Sequence, residues 1–167
     1  MTSREWDTLA SEIRVTLGPL MQQPPIKLSE VANTVGGVRI VAAPLPKGIS
    51  GEIRPDPESP GNFLIKVNKH DSARRQRFTV AHELAHYLLH QDQIGGGIED
   101  DVLYRSKLSD AREAQANRLA ADLLMPDKLV NEWIDKARAL QVEDIVGFLA
   151  DKFNVSEAAM KIRLGIK

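Results

Sequence analysis

Apolar positions recur along the chain at two spacings, and these divide it into helices and strands. Trp6, Leu9, Ile13, Leu17 and Leu20 follow at intervals of three and four, which predicts an amphipathic helix over 3–18 closed by Gly18-Pro19. After a loop holding Pro24-Pro25, Ser29 caps a short helix with Val31, Ala32 and Val35 on its apolar face, ended by Gly36-Gly37. Three β-branched stretches, 38–41, 49–54 and 63–68, read as strands. Prolines and charges around 49–54 suit an edge position, so a small three-stranded antiparallel sheet is expected with that strand at its border.

A longer helix is predicted over 72–91, capped by Asp71 or Ser72. Its apolar residues Val80, Ala81, Leu84, Ala85, Leu88 and Leu89 cover most of the circumference, the mark of a buried helix. Residues 92–108 read as a loop, glycine-rich at Gly95-Gly96-Gly97 and acidic at Glu99-Asp100-Asp101, of the length that often serves as a lid. Ser109 then caps a helix over 110–124 that Met125-Pro126 stops. Leu129, Trp133 and Ala137 stripe the next helix, and Val142, Ile145, Val146, Leu149 and Phe153 another. Ser156 caps a last one ending near Leu164-Gly165. This order gives an α+β fold: a small sheet packed on a helical bundle with the buried helix central. A single domain over 1–167 is expected, with an N-terminal helix and loop (1–27), a sheet-and-site core (28–125) and C-terminal helices (126–167).

Composition narrows the chemistry. A chain of 167 residues, 43% of them hydrophobic, can bury a sizeable core. Its net charge of −1 gives no general attraction for nucleic acid. Lys161 and Arg163 lie on a helix pair that resembles a helix-turn-helix in outline, but the charge balance favours plain packing. No stretch has the pattern of a secretion signal or a membrane span, so a cytoplasmic location is expected. Cysteine is absent, so any metal site must use nitrogen and oxygen donors.

The buried helix carries His82-Glu83-x-x-His86. Residues four apart share one helix face, so both imidazoles can aim at a single ion, with Glu83 beside it as a general base. Alternatively, the two histidines are core residues satisfied by hydrogen bonds, although a metal would satisfy both at once. A hydrolytic zinc site needs a third protein ligand. His70, His90, Glu99, Asp100, Asp101, Asp110 and Glu113 are the candidates. His90 extends the row begun by His82 and His86, but such a row spans about 12 Å on a straight helix, too long to converge on one ion. The acidic trio at 99–101 sits in a flexible loop, a poor place for a precise ligand. Glu113 is the first choice and Asp110 the second, because Ala114, Ala116, Ala120 and Ala121 let their helix approach closely. Asn117, one turn after Glu113, is placed to support the ligands. Tyr104, Arg105 and Tyr87 are candidates to steady an oxyanion. The stretch Ile49, Ser50, Gly51, Glu52 and Ile53 could receive an extended substrate as an added strand. Arg74, Arg75 and Arg77 oppose the dipole of the long helix; they pair with neighbouring acids or form a basic rim for an acidic substrate.

Several motifs in order carry a resemblance. These are Ser50-Gly51, Val67-Asn68, Arg75-x-Arg77-Phe78-Thr79-x-Ala81-His82-Glu83-Leu84-x-His86, Leu89-His90, Glu113-x-x-Ala116-Asn117 and Leu123-Leu124-Met125-Pro126. Over roughly residues 29–165 the chain resembles the ImmA/IrrE family of metallopeptidases. The resemblance implies a zincin-like fold, one Zn2+ held by His82, His86 and Glu113, and Glu83 as the catalytic glutamate. It also implies a helix-turn-helix repressor or antitoxin as protein partner. That partner is a substrate for cleavage or, alternatively, one that is bound without proteolysis by a toxin-type regulator with a structural metal. Two positions depart from the family pattern: Ala85 stands where glycine is usual, and Gln115 where an acidic residue is common.

Overall fold

The computed structural model describes residues 2–95, 98–101 and 110–167. Strands β1 (Val38–Ala43), β2 (Ile49–Pro55), β3 (Phe63–Asn68) and β4 (Ile98–Asp101) form one four-stranded sheet in the order β1-β3-β2-β4. The helices are α1 (Arg4–Thr8), α2 (Ser11–Leu17), α3 (Leu28–Val35), α4 (Ala73–Leu89), α5 (Asp110–Leu124), α6 (Asp127–Ala139), α7 (Ile145–Phe153) and α8 (Glu157–Leu164). The α+β class matches expectation. The sheet differs in direction, strand number and edge.

Residues 44–48 carry the chain from one side of β3 to the other. β1 and β2 therefore run oppositely on either flank of β3. Since β2 pairs antiparallel with β3, β1 pairs with it in parallel, Val38 opposite Phe63. Buried Asn68 pins this crossover: its amide nitrogen donates to the carbonyls of Ile49 (2.9 Å) and Leu45 (3.3 Å), and its oxygen accepts from His70 N. At the other end, Asp56 holds the β2–β3 turn by accepting from Arg39 Nε at 2.6 Å and from Glu58 N at 3.0 Å. The guanidinium keeps the Asp56 carboxyl below its ordinary pKa. β2 is not an edge strand, because β4 pairs antiparallel along its outer side with Ile53 opposite Ile98. Acidic residues are poor strand formers, so 98–101 carried no strand signal; backbone pairing with β2 overrides that preference.

The first predicted helix is broken. Leu9 and Ala10 are extended, separating α1 from α2, and a 3-10 turn follows over Gly18–Met21. Tertiary contacts account for the break. Glu5 on α1 accepts from Arg118 on α5 at 2.6 and 3.0 Å, and Ser3 bonds Asp122 on α5. A continuous rod could not dock α1 there while also burying Leu9 and Leu17.

α4 lies between the sheet and α5, and its residues from Thr79 to His86 are all buried. Small side chains let α4 and α5 approach: Ala81, Ala85, Ala116 and Ala120 are fully enclosed. Arg77 is tied to the backbone, donating to the carbonyls of Ile26 (3.0 Å), Asn154 (3.1 Å) and Phe153 (3.3 Å), so it closes the C-terminal end of α7. Arg74 pairs with Asp151. Arg163 is likewise committed to the interior, bonding Asp122 and the Met125 carbonyl. No helix among the described residues is long and apolar enough to cross a membrane.

Candidate metal centre

One turn of α4 separates His82 from His86, and the close packing of α5 brings Glu113 to the same point. His82 Nε2 and His86 Nε2 stand 3.1 Å apart. Glu113 places Oε2 at 3.1 Å from the first and Oε1 at 3.3 Å from the second. Four donors held tetrahedrally at about 2.0–2.1 Å from zinc are about 3.3 Å apart. The two imidazole nitrogens, and each nitrogen with its nearer Glu113 oxygen, stand at about that spacing. The rings are nearly perpendicular, at 89°, so their lone pairs converge instead of stacking.

Hydrogen bonds behind the rings select their tautomers. His82 Nδ1 lies 2.8 Å from Asn117 Oδ1, an acceptor, so the proton sits on Nδ1 and Nε2 keeps its lone pair. His86 Nδ1 lies 3.0 Å from His90 Nδ1, and His90 Nε2 lies 2.9 Å from Gln115 Oε1. Gln115 accepts from His90 Nε2, which leaves His90 Nδ1 to accept from His86. Burial pushes the His90 pKa below its usual 6.5, favouring this neutral form. Both Nε2 lone pairs and a carboxylate then face one another, a repulsive arrangement that a divalent cation resolves. The donor set fits zinc.

His86 and Glu83 are fully buried, His82 nearly so, while Glu113 leaves 23% of its side chain exposed toward the cleft. This cleft, of about 200 Å³, is lined by Ser50, Arg75, Phe78, Thr79, His82, Glu113 and Asn117. Arg75 Nε and Nη2 donate to Ser50 Oγ at 3.1 and 2.9 Å, linking β2 to α4 across its rim. Gly51 lets the strand press against the helix. A Cβ there would collide with Thr79 Cγ2, lie 3.1 Å from the Lys66 carbonyl and stand 3.7 Å from Glu83 Cγ.

The chain matches the family described as IrrE N-terminal-like domain (Peptidase_M78) over residues 34–165. It belongs to that family.

Among relatives, Metallopeptidase ImmA of Bacillus subtilis (strain 168) is 32% identical over 93 residues, covering 56% of this chain and 50% of that protein. The radiation response metalloprotease IrrE of Deinococcus deserti is 33% identical over 78 residues, covering 46% of this chain and 27% of its own length. IrrE of Deinococcus radiodurans matches equally, with 24% of its length covered. The chain thus spans half or less of these relatives. A solved Mycobacterium tuberculosis transcriptional regulator superposes with a TM-score of 0.58 at 18% identity, covering 99% of this chain and 47% of that one, and so shares its fold.

Set against the family pattern, Ala85 is fully buried on α4. The unusual Gln115 is the terminal acceptor behind His86. Of the other candidates, Asp110 is exposed at the start of α5, and His70 lies in an exposed turn. Tyr104 and Arg105, like Ser109, lie outside the described residues. Tyr87 points elsewhere: its hydroxyl donates to the Gly36 carbonyl at 2.8 Å and its ring packs on Phe63. Within the proposed substrate strand only Ser50 lines the cleft. Ile53 is in the core, Glu52 pairs with Arg54 and Lys66, and the Ile49 carbonyl is taken by Asn68. With β3 and β4 on its two sides, β2 has no edge to offer a peptide. His90, in the row begun by His82 and His86, is not a ligand but bonds His86 from behind. Its actual place behind His86 was signalled by the same i, i+4 spacing.

Proposed function

We propose that this chain is the catalytic domain of a zinc-dependent endopeptidase whose substrate is a helix-turn-helix transcriptional repressor. The convergence of His82, His86 and Glu113, with both histidines bonded through Nδ1 so that Nε2 faces the ligand point, carries this reading. The named activities of the ImmA and IrrE relatives support the reaction class. The family resemblance supplies the substrate class.

A zinc ion held by these three side chains would provide Lewis acidity toward a peptide carbonyl and its attacking water. Glu83 follows His82 on α4 and is shielded from bulk solvent beneath β2. Its carboxylate takes the proton from the attacking water and delivers it to the leaving amide nitrogen. Asn117 holds His82 in orientation throughout. The Arg75–Ser50 bridge shapes the cleft wall beside the scissile bond, and an extended substrate adds along β4, the edge strand among the described residues, instead of β2.

Incubating the purified protein and zinc with a helix-turn-helix repressor encoded in the same operon should yield a discrete cut if that repressor is the substrate. Glu83→Gln should retain zinc and slow cleavage by at least about 100-fold, the usual weight of a general base. A Glu83→Gln protein that cuts at the wild-type rate would exclude the glutamate mechanism. Full biological effect from an inactive Glu83→Gln protein would point to binding without proteolysis.

A further inference from the structure

His90 is fully buried at the C-terminal end of α4, and its two nitrogens face two different partners. Nδ1 meets His86 Nδ1 at 3.0 Å, and Nε2 meets Gln115 Oε1 at 2.9 Å. Gln115 Oε1 also faces Arg112 Nη1 at 3.4 Å. Two donors thus aim at this oxygen, which fixes the orientation of the amide. A neutral imidazole has one N–H and one bare nitrogen. With the His90 proton spent on Gln115, its Nδ1 accepts from His86, and His86 must present an unprotonated Nε2 to Glu113 and His82.

We propose that His90 is a positioning residue: through a relay that begins at the Gln115 amide, it fixes the tautomer and ring orientation with which His86 binds a metal. His82 gets the same service in one step from Asn117. Both histidines are therefore oriented by uncharged amides from α5, the helix that also supplies Glu113. Metal-bound histidines commonly give their second N–H to a carboxylate or a backbone carbonyl. Here an imidazole takes that role, so His86 is oriented without adding negative charge next to the ion. The proposal rests on His82, His86 and Glu113 being a metal site but not on proteolysis.

The test compares His90→Asn with His90→Leu. Both lose the bond to Gln115, but only asparagine keeps an acceptor, Oδ1, where Nδ1 stands. Zinc affinity is measured by competition with a chromophoric chelator, and folding by thermal unfolding of the zinc-free proteins. His90→Leu should bind zinc roughly 10–100-fold more weakly than wild type, the usual cost of removing such a partner. His90→Asn should recover most of the loss. Equal affinities for His90→Leu and wild type would overturn the proposal, as would His90→Asn binding no better than His90→Leu. Nitrogen-15 NMR of the zinc-loaded wild type gives an answer that needs no variant to fold. The His86 proton should reside on Nδ1, and finding it on Nε2 would end the case. Because neither readout uses a substrate, failure to cut a repressor would leave this result standing.

Discussion

His82, Glu83 and His86 were legible because helical spacing alone puts the two imidazoles on one face. Glu113 and Asn117 were legible because a small-residue helix can bring both to that face, as Ala116 and Ala120 do. For His90 and Tyr87, spacing gives a direction from the helix axis, not what the side chain meets there. His90 meets His86 and Gln115; Tyr87 meets the Gly36 carbonyl. Gly51 makes a sharper case, since nothing in its neighbours announces that Thr79 and Glu83 press against it. Gly51→Ala should cost about 1–3 kcal/mol by overpacking. It should also depress cleavage by shifting Glu83. Gly18, whose backbone is helical and whose added methyl would meet nothing within 4 Å, is the matched control. Thermal unfolding of both variants checks this. A Gly51→Ala protein as stable as Gly18→Ala would show that the strand can retreat freely.

At the scale of elements, the apolar pattern located nearly every helix and missed what fastens them. The stripe from Trp6 to Leu20 runs without interruption, yet the chain breaks at Leu9 and Ala10 because Glu5 is drawn to Arg118. That hydrogen bond lowers the Glu5 pKa from its ordinary 4.5. A depressed folded-state value means the pairing stabilises the protein fully at pH above 4.5 and loses its effect as pH falls through the lowered value. Wild type should therefore exceed Glu5→Gln in stability at pH 7, and the gap should close in acid below 4.5. Denaturant melts at several pH values measure it. A gap that is constant with pH would mean that the carboxylate charge contributes nothing to holding α1 on α5.

For the whole molecule, strand neighbours were the least readable feature. A β-branched run signals a strand but not which strand lies beside it, and β4 has no such run at all. The crossover pinned by Asn68 decides the order, and that order moves β2 from the border into the interior. The result is a sheet and α5 that enclose α4 from both sides, which sets His82 and His86 opposite Glu113. A preformed site of this kind should gain stability on binding. Saturating zinc at about 100 times its dissociation constant adds about 2.7 kcal/mol, seen as a rise in melting temperature that a chelator reverses. The most direct measurement is X-ray absorption at the zinc edge on protein loaded to one equivalent. The spectrum should show only nitrogen and oxygen neighbours at about 2.0–2.1 Å. The outer-shell signature should be that of two imidazoles, and one of them should disappear in His86→Ala. Protein that takes up no zinc, or zinc whose spectrum lacks imidazole and ignores His86→Ala, would contradict the site.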